Sequence, residues 1–128
     1  MTSPQPSIAV VDDDTRLLES LENLFESAGY TVRTFSSARA LLDAGLSDVD
    51  CLITDIGMPG MDGFQLHAAV RRLRPELPVF LISGRHEIAD HQRARTEEIA
   101  GFFPKPFDGP TLLAAVRTAV RSSHGRRL

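Results

Sequence analysis

Three consecutive aspartates follow an apolar run near the beginning of the chain. Residues 10–14 read VVDDD, directly after Ile8 and Ala9. Like charges crowded at the end of a buried strand repel one another, so one carboxyl would have to hold a proton unless a cation compensates. Mg²⁺ suits that role, because it takes one or two carboxylates and fills its other positions with carbonyls, waters and phosphate oxygens. The triplet therefore predicts a metal site, although one aspartate alone could cap a helix.

A single lysine stands out among the basic residues. Of 14 lysines and arginines, only Lys105 is a lysine. A lysine ammonium is a compact point charge on a flexible stem, which suits it to reach one anionic oxygen. Lys105 is therefore a candidate for binding the same anionic group that a metal ion at the aspartates would attract.

The elements that must position these groups alternate regularly along the chain. Five short apolar runs, read as strands, lie at 7–11, 31–35, 50–54, 78–82 and 101–104. A segment of helical period follows each strand. The first three helices are predicted to end near Gly29, Gly45 and Arg72, and the last is predicted to start after Pro110. The fourth such segment, 88–99, has almost no apolar stripe. The alternation predicts right-handed parallel crossovers and a doubly wound α/β sheet covered on both faces.

In an open parallel sheet, functional groups gather at the carboxyl ends of the strands. The first predicted strand leads into Asp12 and Asp13, the third into Asp55, the fourth into Ser83 and the fifth into Lys105. A metal held by Asp13 with either Asp12 or Asp55 would attract a phosphoryl group, and Asp55 could attack its phosphorus as a nucleophile. Each of these residues alone could be a helix cap, a turn residue or the residue that ends a strand. Their joint occurrence at four strand ends is much harder to attribute to chance.

Composition excludes several other classes. The chain has 128 residues, enough for one domain, and a net charge of −3, which gives no reason to expect nucleic-acid binding. No apolar run approaches the roughly 18 residues of a membrane span, and the first residues lack a secretion signal, so we expect a cytoplasmic protein without membrane contact. Cys51, the only cysteine, has apolar neighbours and is predicted to lie in the core.

The ordered set of motifs resembles the receiver domain of two-component response regulators across essentially the whole chain. The matching features are an apolar strand before Asp12-Asp13, LITD ending at Asp55, the segment MPGMDG at 58–63, Ser83-Gly84 and KPF at 105–107. The resemblance implies a flavodoxin-like fold of five helices around five parallel strands in the order 2-1-3-4-5. It also divides the chain into a flexible start (1–6), a receiver domain (7–121) and a short tail (122–128).

The resemblance implies a role for each site residue. Asp55 would accept a phosphoryl group from the phosphohistidine of a sensor kinase or phosphotransfer protein, with Mg²⁺ held by Asp12, Asp13, Asp55 and the backbone carbonyl of Gly57. Lys105 would bind the phosphoryl group, and Asp14 would be a helix cap. Ser83 would be the switch hydroxyl and Phe102 the switch aromatic.

The implied output is a change of shape. The face made by the fourth helix, fifth strand and fifth helix would respond to phosphorylation and could bind a second copy or an output domain. Such a protein is not an enzyme acting on other molecules, because it promotes only its own phosphorylation and dephosphorylation.

Three positions depart from the family pattern. Phe102 has no hydroxyl where tyrosine is common, and Glu98-Ile99 replaces a small Gly-Ala pair. Arg85, two residues past Ser83, could slow or redirect attack by water on the phosphoryl group. Together with the polar segment 88–99, these changes make the fourth helix, and its response to phosphorylation, the least certain part of the resemblance to the family.

Two alternatives remain open from the sequence. A receiver-like module could bind a partner without regulated phosphorylation. A phosphatase of the haloacid-dehalogenase type also has an apolar strand before Asp-x-Asp, but Arg16 stands where its threonine would be. Because no DNA-binding helix pair follows Val120, we expect either a stand-alone receiver or the amino-terminal part of a longer regulator.

Overall fold

The computed structural model describes residues 5–84 and 88–126. Its elements in chain order are β1 (Ser7–Val11), α1 (Thr15–Ser27), β2 (Thr31–Phe35), α2 (Ala38–Ala44), β3 (Cys51–Asp55), α3 (Gly63–Leu73), β4 (Val79–Ser83), α4 (Ile88–Thr96), β5 (Gly101–Pro104) and α5 (Gly109–Arg126). All strand pairs are parallel and the sheet order is β2-β1-β3-β4-β5. The predicted fold class and strand order are confirmed.

The alternation of side chains along the central strands explains the layers. Ile8 and Val10 of β1 point to the side covered by α1 and α5, where Phe25 and Val116 are also buried. Ala9 and Val11 point to the opposite side, covered by α2, α3 and α4. Each face of the sheet therefore has its own apolar core, as a parallel sheet requires.

Two strands lie one residue further along than predicted. The runs 50–54 and 78–82 are observed as Cys51–Asp55 and Val79–Ser83. Asp50 lies just before β3, where its carboxylate accepts a hydrogen bond of 2.7 Å from the backbone N–H of Ser7. The shift makes Asp55 and Ser83 the last residues of their strands, paired with Ile82 and Pro104. The backbone of both residues is consequently held in the sheet.

Local chemistry accounts for the helix boundaries. Asp14 is the N-cap of α1, because its carboxylate accepts from the N–H of Arg16, as predicted. Asp62 forms a capping box with Gln65 at the start of α3. The last helix, α5, runs to Arg126 and so enters the stretch predicted as a tail; the domain boundaries remain a prediction. In the described part of the chain, no helix is both long and apolar enough to cross a membrane.

Candidate functional site

The carboxyl edge of the sheet brings the predicted acidic residues together. Asp12 follows the end of β1 directly, and its N–H donates to the carbonyl of Phe35 at 3.1 Å. Asp55 ends β3, the strand next to β1. One carboxylate oxygen from each of Asp12, Asp13 and Asp55 lies within 4.8 Å of the others. This spacing would allow a single cation to contact all three.

The carboxylate of Asp12 is buried and already hydrogen-bonded on both oxygens. Its Oδ1 accepts from the N–H of Asp14 at 2.8 Å, and its Oδ2 accepts from Nζ of Lys105 at 2.9 Å. Burial nevertheless raises the pKa of Asp12 above its usual value, and the nearby charge of Asp55 adds to this; the two hydrogen bonds only partly offset the effect. Asp13, by contrast, is exposed. The acidic cluster therefore has one buried, preorganised side and one side open to solvent.

Lys105 bridges two of the carboxylates. Its Nζ lies 2.9 Å from Asp12 and 3.5 Å from Oδ1 of Asp55. Burial alone would lower the pKa of Lys105, but the hydrogen bond and charge of Asp12, with the charge of Asp55, raise it above the ordinary value. The ammonium is thus kept protonated beside both carboxylates.

Backbone contacts join the lysine to the fourth strand. The N–H of Lys105 donates to the carbonyl of Ser83 at 2.7 Å, and the Lys105–Pro106 peptide bond is cis. Ser83 is fully buried at the end of β4. Gly57, the predicted source of a carbonyl ligand, lies exposed in the loop two residues after Asp55. Ser83, Lys105 and Gly57 all lie near the predicted edge of the sheet; their roles remain predictions.

A close approach behind Asp55 was missed by sequence reasoning. The N–H of Gly63 donates to the carbonyl of Ile56 at 3.0 Å, so the first turn of α3 packs directly against the end of β3. A Cβ at Gly63 would collide with the carbonyl oxygen of Asp55 and lie 2.8 Å from Cα of Ile56. The glycine in MPGMDG was visible in the sequence, but its contact depends on how the loop folds back.

Phe102 lies on the face of the sheet that α4 covers. It is half-buried in β5, packs on the core beneath α4, and lines a cavity of about 300 Å³ with Ala94, Arg95 and Ile99. A ring that changes position here would alter the surface between α4 and β5. Arg85, predicted to affect the stability of the phosphoryl group, lies outside the described residues.

A second cavity is lined in part by Lys105. It has a volume of about 460 Å³ and lies between α1 and the loop that joins β5 to α5. Apolar side chains of Leu17, Leu24 and Phe107 line it, with Asp14 and Lys105 at its polar end. The sequence reasoning did not anticipate this groove, since it requires α1 and the loop after β5 to be brought together.

Comparison with known proteins is consistent with this fold and this arrangement of residues. The family model for the response regulator receiver domain matches residues 8–117. The response regulator protein TmoT of Ectopseudomonas mendocina is 38% identical over 122 residues, which cover 94% of this chain and 56% of TmoT. The chain belongs to the response regulator receiver domain family, whose members are signalling domains that pair with histidine kinases.

Solved structures agree with the assignment. The signal receiver domain of an HD domain-containing protein from Pseudomonas fluorescens superposes with a TM-score of 0.88 at 30% identity, covering 95% of this chain and 99% of that one. A CheY-like receiver domain protein from Methanospirillum hungatei gives 0.89 at 22% identity, covering 96% and 99%, and supports the fold alone. The chain spans about half the length of the curated relatives it matches, 56% of TmoT and 53% of TodT from Pseudomonas putida.

Proposed function

We propose that this receiver domain accepts a phosphoryl group on Asp55 from the phosphohistidine of a sensor kinase or phosphotransfer protein, in a reaction that requires Mg²⁺. In this step a carboxylate oxygen of Asp55 forms a bond to phosphorus, the P–N bond of the phosphohistidine breaks, and its electron pair returns to the imidazole. The observation that carries the proposal is the position of Asp55, beside two further carboxylates and 3.5 Å from the ammonium of Lys105.

The acidic cluster fits a Mg²⁺ ion. Asp12, Asp13 and Asp55 can each offer one oxygen, and the exposed side at Asp13 leaves room for waters and for phosphoryl oxygens. We propose Gly57 as the source of a further carbonyl ligand. When bound, the ion would neutralise carboxylate and phosphoryl charge that would otherwise repel one another.

The chain's own residues would then hold the transferred group. Lys105 lies 3.5 Å from Asp55 with its ammonium protonated, so a small movement away from Asp12 would bring it to a phosphoryl oxygen. Ser83 would move toward the new charge and provide a hydroxyl, and Phe102 would turn into the space that the hydroxyl leaves. The surface of α4, β5 and α5 would change as a result and would bind a second copy or an output domain.

The groove between α1 and the loop after β5 is a suitable place for the donor protein. It is mainly apolar, and one end of it is formed by Lys105, so a helix lying over Leu17 and Phe107 would reach the site. We propose that the donor docks there. The protein would then be a signalling partner rather than an enzyme with substrates of its own, and its location in the cytoplasm stays a prediction from the sequence.

Labelling with a small phosphodonor tests the proposal. The protein is incubated with phosphoramidate, whose P–N bond resembles that of phosphohistidine, and its intact mass is measured with and without Mg²⁺. We expect one phosphoryl group per chain, dependent on Mg²⁺, and none in Asp55→Asn. The matched control is Asp43→Asn, an exposed aspartate of α2, which should label normally.

Three results would overturn the proposal. Labelling that persists in Asp55→Asn would place the phosphoryl group elsewhere. Absence of labelling together with an absence of any Mg²⁺ binding would favour a receiver-like interaction module. Sustained hydrolysis of a generic phosphomonoester would instead point to a phosphatase.

A further inference from the structure

The fourth helix is attached to the domain in an unusual way. Its sequence, IADHQRART, has no apolar stripe, and Ala94 is the one buried apolar side chain among those the structure describes in it. Helices on a parallel sheet are normally held by an apolar face. Something other than burial of apolar surface must therefore contribute to holding α4 in place.

Polar contacts to α3 supply part of this attachment. The guanidinium of Arg93 lies 4.2 Å from the ring centroid of Phe64, in a cation–π arrangement. Arg93 also pairs with Glu97 at 2.7 Å, and Arg71 of α3 pairs with Glu98 at 3.0 Å. We call these five residues and His67 the α3–α4 seam. Each exposed ion pair is individually weak, so the seam depends on several contacts forming together.

His67 lies inside this seam. Only 2% of the residue is exposed, and its Nδ1 has no hydrogen-bond partner in the described part of the chain. The charged groups around it are Glu97 and Glu98, which directly follow α4, and Arg71 from α3. Burial lowers the pKa of His67, and Arg71 lowers it further, while the two glutamates only partly oppose this.

We propose that His67 makes the attachment of α4 sensitive to pH: α4 packs on α3 while the imidazole is neutral and loosens when the imidazole is protonated. A buried imidazolium would be desolvated and would repel Arg71, so protonation favours arrangements in which His67 reaches water. The inference does not depend on phosphorylation of Asp55. The surface of α4 and β5 would then respond to pH as well as to phosphorylation.

The direction follows from proton linkage. The folded protein binds a proton at His67 less readily than the unfolded chain does, because the pKa is lowered on folding. The stabilising effect is therefore complete above the ordinary histidine value of about 6.5 and is lost as the pH falls through the lowered pKa. Loosening is expected on the acidic side of neutrality, within the range where histidine switches operate.

Amide and imidazole resonances followed from about pH 8 to about pH 5 test the proposal. We expect the amides of residues 92–98 to shift with the same midpoint as the imidazole of His67. His91 lies in α4 and His86 lies just before it, so the experiment is performed in a His86→Gln/His91→Gln protein as well as in the wild type. The response of α4 should survive those two substitutions and disappear in His67→Gln.

Each outcome decides the question. An α4 response that vanishes in His86→Gln/His91→Gln, or one that persists in His67→Gln, would overturn the proposal. If His67→Gln does not fold, the midpoints in the folded control protein decide: different midpoints for His67 and α4, or amides of α4 that do not change with pH, would overturn it equally.

Discussion

Nζ of Lys105 lies closer to Asp12 than to Asp55, at 2.9 Å against 3.5 Å. The lysine is thus mainly a counterion for the buried Asp12, whose carboxylate would otherwise lack a partner on one oxygen. Binding of a phosphoryl group at Asp55 would offer the ammonium a stronger anion next to its present position.

This relationship predicts that Lys105 competes with a metal ion. Replacing it by methionine removes a positive charge beside the carboxylates, so Mg²⁺ should bind more tightly, by about tenfold, when Asp12 is kept ionised near pH 8. Titration calorimetry measures the affinity. Lys105→Arg retains the charge and should stay near the wild-type affinity. Weaker binding of Mg²⁺ by Lys105→Met than by the wild type would contradict the idea of competition.

The turn behind Asp55 should not tolerate a side chain at Gly63. In Gly63→Ala the new Cβ would collide with the backbone of Asp55 and lie 2.8 Å from Cα of Ile56, so the free energy of unfolding should fall by about 1–3 kcal/mol. Urea denaturation followed by circular dichroism measures it. Gly84→Ala is the matched control, because the nearest atom to its Cβ is Cδ of Lys105 at 4.0 Å. Equal effects of the two substitutions would refute the contact.

Arg74 should stabilise the loop before β3. Its NH1 donates to the carbonyls of Leu46 and Val49, both at 2.6 Å, and its side chain is only 16% exposed. Arg74→Met leaves those carbonyls without this donor and should cost about 1–3 kcal/mol of unfolding free energy. Glu76→Ala removes the ion partner of Arg74 but keeps its two carbonyl contacts, and it should cost less than Arg74→Met. A larger loss in Glu76→Ala than in Arg74→Met would show that the ion pair matters more.

Glu98 occupies a backbone conformation that favours glycine. Its φ of 50° lies in the left-handed region, where a side chain costs roughly 1 kcal/mol or more. Glu98→Gly and Glu98→Ala both lose the ion pair with Arg71, but only glycine relieves the backbone. The glycine variant should therefore be more stable than the alanine variant by about 1 kcal/mol in thermal or urea unfolding. Equal stabilities would rule out strain at this position.

The sequence predicted the sheet well, because periodicity and residue type determine which segments are buried. The bounds of β1, β2 and β5 were correct, and β3 and β4 were displaced by one residue. Local signals do not show that the regular strand begins at Cys51. Asp50 joins β1 through both its carboxylate and its backbone N–H, each bonded to Ser7, and lies just before the strand. The strand order was predicted from the resemblance to the receiver family, and the structure confirms that order.

The sequence was less informative wherever side chains from distant elements meet. The types of Asp12, Asp55 and Lys105 indicated a shared site, but not that Asp12 is buried and paired with the lysine. The cation–π contact between Arg93 and Phe64 was not predicted either, since a polar helix gives no pattern that identifies its inner face. The departure from the family pattern at Glu98 was predicted, and its backbone conformation explains why glycine would suit that position.

Binding of beryllium fluoride tests most directly whether Asp55 accepts a phosphoryl group at a Mg²⁺-dependent site. Amide shifts would be recorded during titration with beryllium fluoride, with and without Mg²⁺. We predict saturable, Mg²⁺-dependent shifts centred on Asp55, Ser83 and Lys105 that spread to Phe102 and α4. Absence of binding, or shifts that are the same in Asp55→Asn, would contradict the proposed function.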